Sequence, residues 1–132
     1  MKGTARIAAV PVPRITRDDL KARLDNTDAA ARPVLVDARL KYPYEHSTMK
    51  LPGAVRVTGA DFSQLPRDRP VVAYDSDPDE LASSRVAGDL IRAGYDAWAL
   101  KGGIVDWLAA NFPTEAKDAP KQAAPEPGSL KG

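Results

Sequence analysis

Two kinds of apolar pattern alternate along the chain. Short uninterrupted apolar runs read as buried strands, and stretches with apolar positions three to four apart read as amphipathic helices. The first helix is expected after Thr16, which can cap it, with Asp19 three residues on and Leu20 and Leu24 on one face. Pro33-Val34-Leu35-Val36-Asp37 then reads as a strand ending in an acid. Ala54-Val55-Arg56-Val57 reads as another after the turn signal Pro52-Gly53, and Pro70-Val71-Val72-Ala73-Tyr74 as a third. A helix is expected to follow at once, with Asp77 as N-cap, Pro78 in the first turn and Glu80 completing a D-x-x-E box. Its stripe runs through Ala82, Val86, Ala87, Leu90 and Ile91, and Gly94 closes it. Asp96 to Leu100 forms the next strand, Gly102-Gly103 breaks the chain, and Ile104, Trp107 and Leu108 share one face of a last short helix.

Non-alternating strands separated by helices imply an α/β fold in three layers, a central parallel sheet of four to five strands covered by helices on both faces. Ligands of such sheets bind beyond the carboxyl ends of the strands, which here carry Asp37, Asp75 and Lys101. The expected organisation is an N-terminal segment, 1–13, partly strand from Ala5 to Val12; a domain over 14–113; and a disordered tail, 114–132, rich in Pro, Ala, Lys and Glu.

Composition narrows the chemistry. The 132 residues are 43% hydrophobic, enough for a packed core, and 19 Lys and Arg against 18 Asp and Glu leave a net charge of +1. That balance argues against nucleic acid or an anionic membrane as partner. No apolar run is long enough to span a bilayer, and Ile7-Ala8-Ala9-Val10 is too short for a signal peptide, so a cytoplasmic location is expected. The count of zero cysteines excludes disulfides, thiolate-ligated zinc and nucleophilic thiols.

Several motifs in order resemble the rhodanese (sulfurtransferase) family. They are Val34-Leu35-Val36-Asp37-Ala38-Arg39, Leu51-Pro52-Gly53-Ala54, Val71-Val72-Ala73-Tyr74, Gly94-Tyr95, and Leu100-Lys101-Gly102-Gly103-Ile104 with Trp107. The resemblance implies the fold inferred above, over residues of about 14 to 113. It also implies a catalytic cysteine after the tyrosine, where this chain has Asp75. The loop Asp75-Ser76-Asp77-Pro78-Asp79-Glu80 resembles the "C-x-C-P-x-E" loop of one rhodanese subclass with aspartate at both cysteine positions.

A carboxylate cannot carry a persulfide, so the family's mechanism is excluded on chemical grounds. The loop's acids would also repel thiosulfate or phosphate esters. Asp75 is instead expected to fill the former anion cradle with its own carboxylate, with Asp77 capping the next helix and Asp79 and Glu80 in its first turn. The rival reading makes Asp75 a nucleophile or metal ligand, for divalent-metal phosphoryl transfer or a cation loop of Asp75, Asp77 and Asp79. An apolar strand ending in Asp75-x-Asp77 resembles the opening of haloacid-dehalogenase phosphatases, and Asp75 with Lys101 resembles a response-regulator receiver. Both lack the further acidic pair those families use, and the glycine and final glutamate of a calcium loop are absent.

Arg39 is expected to pair with Asp37 or to point into the pocket, and Arg85 to neutralise Asp75 or face water. His46 packs in a loop; Trp98 and Trp107 are core or pocket walls; Tyr42 and Tyr44 flank Pro43 in a loop. The function expected is therefore a catalytically inactive binding or regulatory module, acting as a monomer. Its candidate ligand or partner loop comprises Asp75, Ser76, Asp77, Asp79, Glu80, Arg85 and Arg39. No metal or cofactor is implied, and the partner is a protein or small ligand.

Overall fold

The apolar runs pair as a parallel sheet. A computed structural model describes residues 11–57 and 61–117. In chain order these form β1 (Arg14–Ile15), α1 (Arg17–Leu24), a 3-10 turn at Ala29–Ala31, β2 (Val34–Asp37), α2 (Lys41–Glu45) and β3 (Met49–Lys50). Then follow β4 (Val71–Tyr74), α3 (Leu81–Arg92), β5 (Ala97–Leu100), α4 (Gly103–Ala109) and β6 (Glu115–Ala116). The sheet order is β1-β5-β4-β2, every pair parallel.

Strand period 2 divides the core in two. Leu35, Val72, Tyr74 and Leu100 face one side, where Leu20 of α1 and Ile104 and Trp107 of α4 cover them. Val36, Val71, Ala73 and Ala97 face the other, under Ala87 and Leu90 of α3, together with Phe62, Leu65 and Tyr95. The three-layer arrangement is thus built from strands that read as continuously apolar because both faces are buried. Trp107, fully buried, meets Phe112 edge-on at 4.9 Å and donates its indole N–H to the Pro113 carbonyl at 2.7 Å. Trp98 is half-buried, packing on the same core and bonding Asp96 Oδ1 at 2.9 Å.

Two expectations need correction. The strand expected at 54–57 is reduced to one bridge, Val36 to Val55, held by Asp37 N–H to the Val55 carbonyl at 2.8 Å and Val55 N–H to the Leu35 carbonyl at 3.0 Å. The Arg56 side chain donates Nη1 to the Arg39 carbonyl at 2.5 Å. A two-residue strand lies at Arg14–Ile15. Proline has no amide hydrogen, so Pro13 joins the sheet only as an acceptor, from Ala99 N–H at 2.9 Å. Residues 1–10, which hold most of the expected Ala5–Val12 strand, lie outside the described residues. The expected tail also begins later than 114: Glu115–Ala116 pairs antiparallel with Met49–Lys50, and Glu115 accepts from Gly53 N–H at 2.7 Å. Residues 118–132 lie outside the described residues. Among the described residues, no helix is long and apolar enough to cross a membrane.

The turn at Gly102-Gly103 sets the site's geometry. Both residues have positive φ, +80° and +59°. A Cβ on Gly103 would lie 2.2 Å from the Asp75 carbonyl oxygen, the group that accepts Ile104 N–H at 2.9 Å. Only glycine lets the start of α4 approach the end of β4 this closely. Gly103→Ala should therefore destabilise the domain by more than about 2 kcal/mol, a fall of roughly 10 °C in Tm. Gly53 also has positive φ, +72°, but open space around it, so Gly53→Ala should cost only about 1 kcal/mol. Equal losses in thermal denaturation would show that crowding at Gly103 contributes nothing.

Candidate functional site

Two buried acids organise the carboxyl edge of the sheet. Asp37 ends β2 and pairs in register with Tyr74, which ends β4, so both side chains point to the same face. The Tyr74 hydroxyl donates to Asp37 Oδ2 at 3.0 Å and accepts Leu51 N–H at 3.2 Å. Arg39 closes on the same carboxylate in a fork, Nε to Oδ1 at 3.0 Å and Nη2 to Oδ2 at 2.7 Å, and its Nη2 also reaches the Met49 carbonyl at 2.9 Å. Both partners are buried, at 3% exposure each. Burial acts most strongly on Arg39 and opposes its charge, but the Asp37 hydrogen bonds and charge outweigh it and hold the guanidinium above its ordinary pKa. Tyr74 is pushed up, first by burial and then by the Asp37 charge. Of the two expectations for Arg39, the structure shows the paired one, while leaving its edge on the pocket wall.

Asp75 is the second acid, 1% exposed. Its Oδ2 accepts Ser83 N–H at 2.6 Å and its Oδ1 accepts Asp77 N–H at 3.1 Å. The carboxylate thus occupies one amide in the first turn of α3 and one in the loop before it. Burial is the largest influence on Asp75 and raises its pKa; the Ser83 and Asp77 amides pull the other way, and the Asp77 charge adds to the rise.

The expected cap is corrected here. α3 starts at Leu81, later than the Pro78 start expected. Asp77 does not cap it; its Oδ1 accepts Asp79 N–H at 2.9 Å and its carbonyl accepts Glu80 N–H at 2.9 Å, closing a local turn. Capping falls to Asp75, two residues further back, which serves Ser83, the third residue of the helix. Glu80 sits before the helix in the left-handed region, φ +56°, rather than in its first turn.

A distant pair holds Glu80 there. Arg14, in β1, donates Nε to Glu80 Oε1 at 2.9 Å and Nη2 to Oε2 at 2.6 Å, and Gly102 N–H reaches Oε2 at 3.2 Å. Burial is the largest influence on Glu80 and raises its pKa, but the Arg14 and Gly102 hydrogen bonds and the Arg14 and Lys101 charges together leave it below the ordinary glutamate range. Lys101 itself is exposed and acts on Glu80, not on Asp75.

The other expected residues lie around this centre. Ser76, Asp77, Asp75, Arg39, Leu40, Pro43 and Ala82 line a cavity of about 210 Å³. Asp79 is exposed. Arg85 is exposed, forms no ion pair with Asp75 among the described residues, and lines an adjoining cavity of about 340 Å³. Tyr42 and Tyr44 lie on the short helix α2, not in a loop; Tyr42 stacks on the exposed His46, and Tyr44 lies under Arg56 at 3.9 Å. Sequence reasoning missed Arg56, which also stands 3.8 Å from Asp37 Oδ1, and missed Arg14 and Ser83. No local motif could flag them, because their partners lie 66 residues away for Arg14 and 8 for Ser83. Among the described residues no group of three His, Asp or Glu side chains is placed to hold a metal ion. Asp75 is turned inward to amides and Asp77 to its own turn, so the cation loop of Asp75, Asp77 and Asp79 does not assemble.

The two acids should respond oppositely to pH. Glu80, lowered in the fold, contributes stability that is present above its unfolded pKa and lost as pH falls through the folded value. Asp75, raised in the fold, contributes stability that is present below its unfolded pKa and lost as pH rises through the folded value. In denaturant titrations the advantage of the wild type over Glu80→Gln should grow as pH rises from about 3 to 5. Its advantage over Asp75→Asn should shrink as pH rises above about 4. Parallel slopes would refute the assignment. At neutral pH, Glu80→Gly should be about 1 kcal/mol more stable than Glu80→Ala, since both lack the Arg14 partner and differ only in tolerance of positive φ. Equal stability would show no left-handed strain at this position.

This geometry matches proteins of known kind. The family model for the rhodanese-like domain matches residues 16–110. A tRNA sulfurtransferase of Desulfurococcus amylolyticus is 34% identical over 76 residues, which cover 58% of this chain and 15% of that protein. The chain therefore corresponds to a small part of that relative. Among solved structures, thiosulfate sulfurtransferase from Pseudomonas aeruginosa is 27% identical with a TM-score of 0.58, over 79% of this chain and 20% of that one. A full-length protein from Lactobacillus plantarum superposes with a TM-score of 0.68 at 21% identity, over 79% of this chain and 88% of that one, a likeness of fold. With its sheet, its Asp37–Arg39 pair and its Gly102-Gly103 turn in place, the chain belongs to the rhodanese-like domain family, and it does so without a cysteine.

Proposed function

We propose that this domain is a binding or regulatory module that transfers no sulfur. The observation carrying this reading is the buried Asp75 carboxylate on the Ser83 and Asp77 amides. A sulfurtransferase of this family needs a nucleophilic thiol at the end of β4 and free amides to receive an anion. Here a carboxylate stands at that position and takes the amides for itself. A carboxylate has no bonding capacity for a second sulfur, and its charge excludes thiosulfate from the same donors.

The surroundings support recognition rather than turnover. Leu40 and Leu81 are exposed, at 62% and 66%, and Leu40 lines the cavity that Asp75 also lines. An exposed leucine in the wall of a pocket suits a protein partner more than a polar substrate. The domain acts as a monomer in this reading and needs no cofactor. The purified full chain, assayed for thiocyanate formation from thiosulfate and cyanide, should show only the uncatalysed rate. Turnover that survives purification and is lost in Asp75→Ala would overturn the proposal.

A further inference from the structure

Two cavities share walls near the loop, and Asp75 lines one of them. The one of about 210 Å³ runs over the loop; the one of about 340 Å³ lies between β2 and α3. They share Arg39, Leu40 and Ala82 as walls. The smaller lies below the range of about 300–1,000 Å³ usual for whole small-molecule sites and suits a single side chain. Its other walls include Pro43 and Ala82, with Asp75 already bonded inward.

The larger cavity has a different character. Three arginines border it, Arg39, Arg56 and Arg85, with two acids, Asp37 and Asp89. Asp37 is taken by the Arg39 fork, and Asp89 pairs with Arg92 at 3.0 Å. Arg56 is held in place by the Arg39 carbonyl and the Tyr44 ring, with Asp37 only at 3.8 Å. Arg85 is exposed and forms no ion pair among the described residues. The cationic capacity left over on this wall belongs to Arg56 and Arg85, and a guanidinium can bind a carboxylate through two parallel N–H groups.

We infer that the paired cavities form a docking site for a partner protein's segment with an acidic side chain next to a leucine-like one. The carboxylate lies between Arg56 and Arg85 and the apolar side chain enters the pocket under Leu40, Pro43 and Ala82. The inference rests on the binding-module reading above and specifies its ligand. Charge complementarity selects this occupant. A basic segment would meet two arginines, and an oxyanion aimed at the loop would meet the Asp75 carboxylate on the amides it needs.

The test uses the ¹⁵N-labelled full chain and four probes: acetyl-Gly-Glu-Leu-Gly-amide, its Gln-Leu and Lys-Leu counterparts, and thiosulfate. The Glu-Leu peptide should give saturable shifts at Arg39, Leu40, Arg56, Ala82 and Arg85, and bind at least tenfold more tightly than the Gln-Leu and Lys-Leu peptides. Arg85→Gln, at an exposed position that spares the fold, should weaken it several-fold, and Arg85→Glu should abolish the Glu preference. Raising salt should weaken the Glu-Leu peptide alone. Binding of all three peptides with equal strength would overturn the acidic specificity and leave the binding module standing. Absence of any peptide shift at millimolar concentration would overturn the docking site. Saturable thiosulfate shifts at Ser83 and Asp77 would overturn the underlying reading, since they require the amides to be free.

Discussion

Asp75 joins the end of β4 to the starts of α3 and α4 through hydrogen bonds. The Asp75 side chain accepts from Ser83 in α3, while its backbone carbonyl accepts from Ile104 in α4. One residue at the end of β4 thus satisfies orphan amides of two helices, on opposite faces of the sheet. Burial makes this arrangement demanding. A carboxylate at 1% exposure is tolerable only because two amides receive it, and the amides are tolerable only because the carboxylate fills them. The absent Cβ of Gly103 is the steric condition for the same joint, since it lets α4 reach the carbonyl. Further out, Glu80 is held in left-handed backbone by Arg14 and Gly102, tying the edge strand β1 to the loop.

The layered fold was legible because its signals are local and repeated. Strands buried on both faces read as unbroken apolar runs, and Leu35 against Val36, or Val72 against Ala73, divide between two cores by period 2 alone. The placement of Asp37 and Asp75 at strand ends followed from the same runs. What escaped was decided by partners far away in the chain. Asp77-Pro78-Asp79-Glu80 satisfies every local rule for a helix start, yet Glu80 is claimed by Arg14, and the helix begins one residue later still. Glu115–Ala116 carries no strand signal in its own composition and becomes a strand by pairing with Met49–Lys50. Val55 shows the reverse, a strand-like sequence reduced to one bridge with Val36.

The exchange of thiol for carboxylate changes more than a nucleophile. In an anion cradle the amides are the recognition element, and they can serve one anion at a time. When the protein supplies that anion from its own chain, a soluble anion must displace a tethered and buried competitor. The positive capacity of the site then shifts from the helix terminus to side chains at the rim. In this chain those are Arg56 and Arg85, which stand on separate elements and face the same cavity. Arg39 cannot serve, because its fork is already closed on Asp37. In the proposed reading, the loop gives up a small oxyanion while a wider surface beside it sets charge and apolar contact side by side. A surface of that kind discriminates by the spacing of two side chains on a ligand, which a macromolecular segment can present and a free oxyanion cannot.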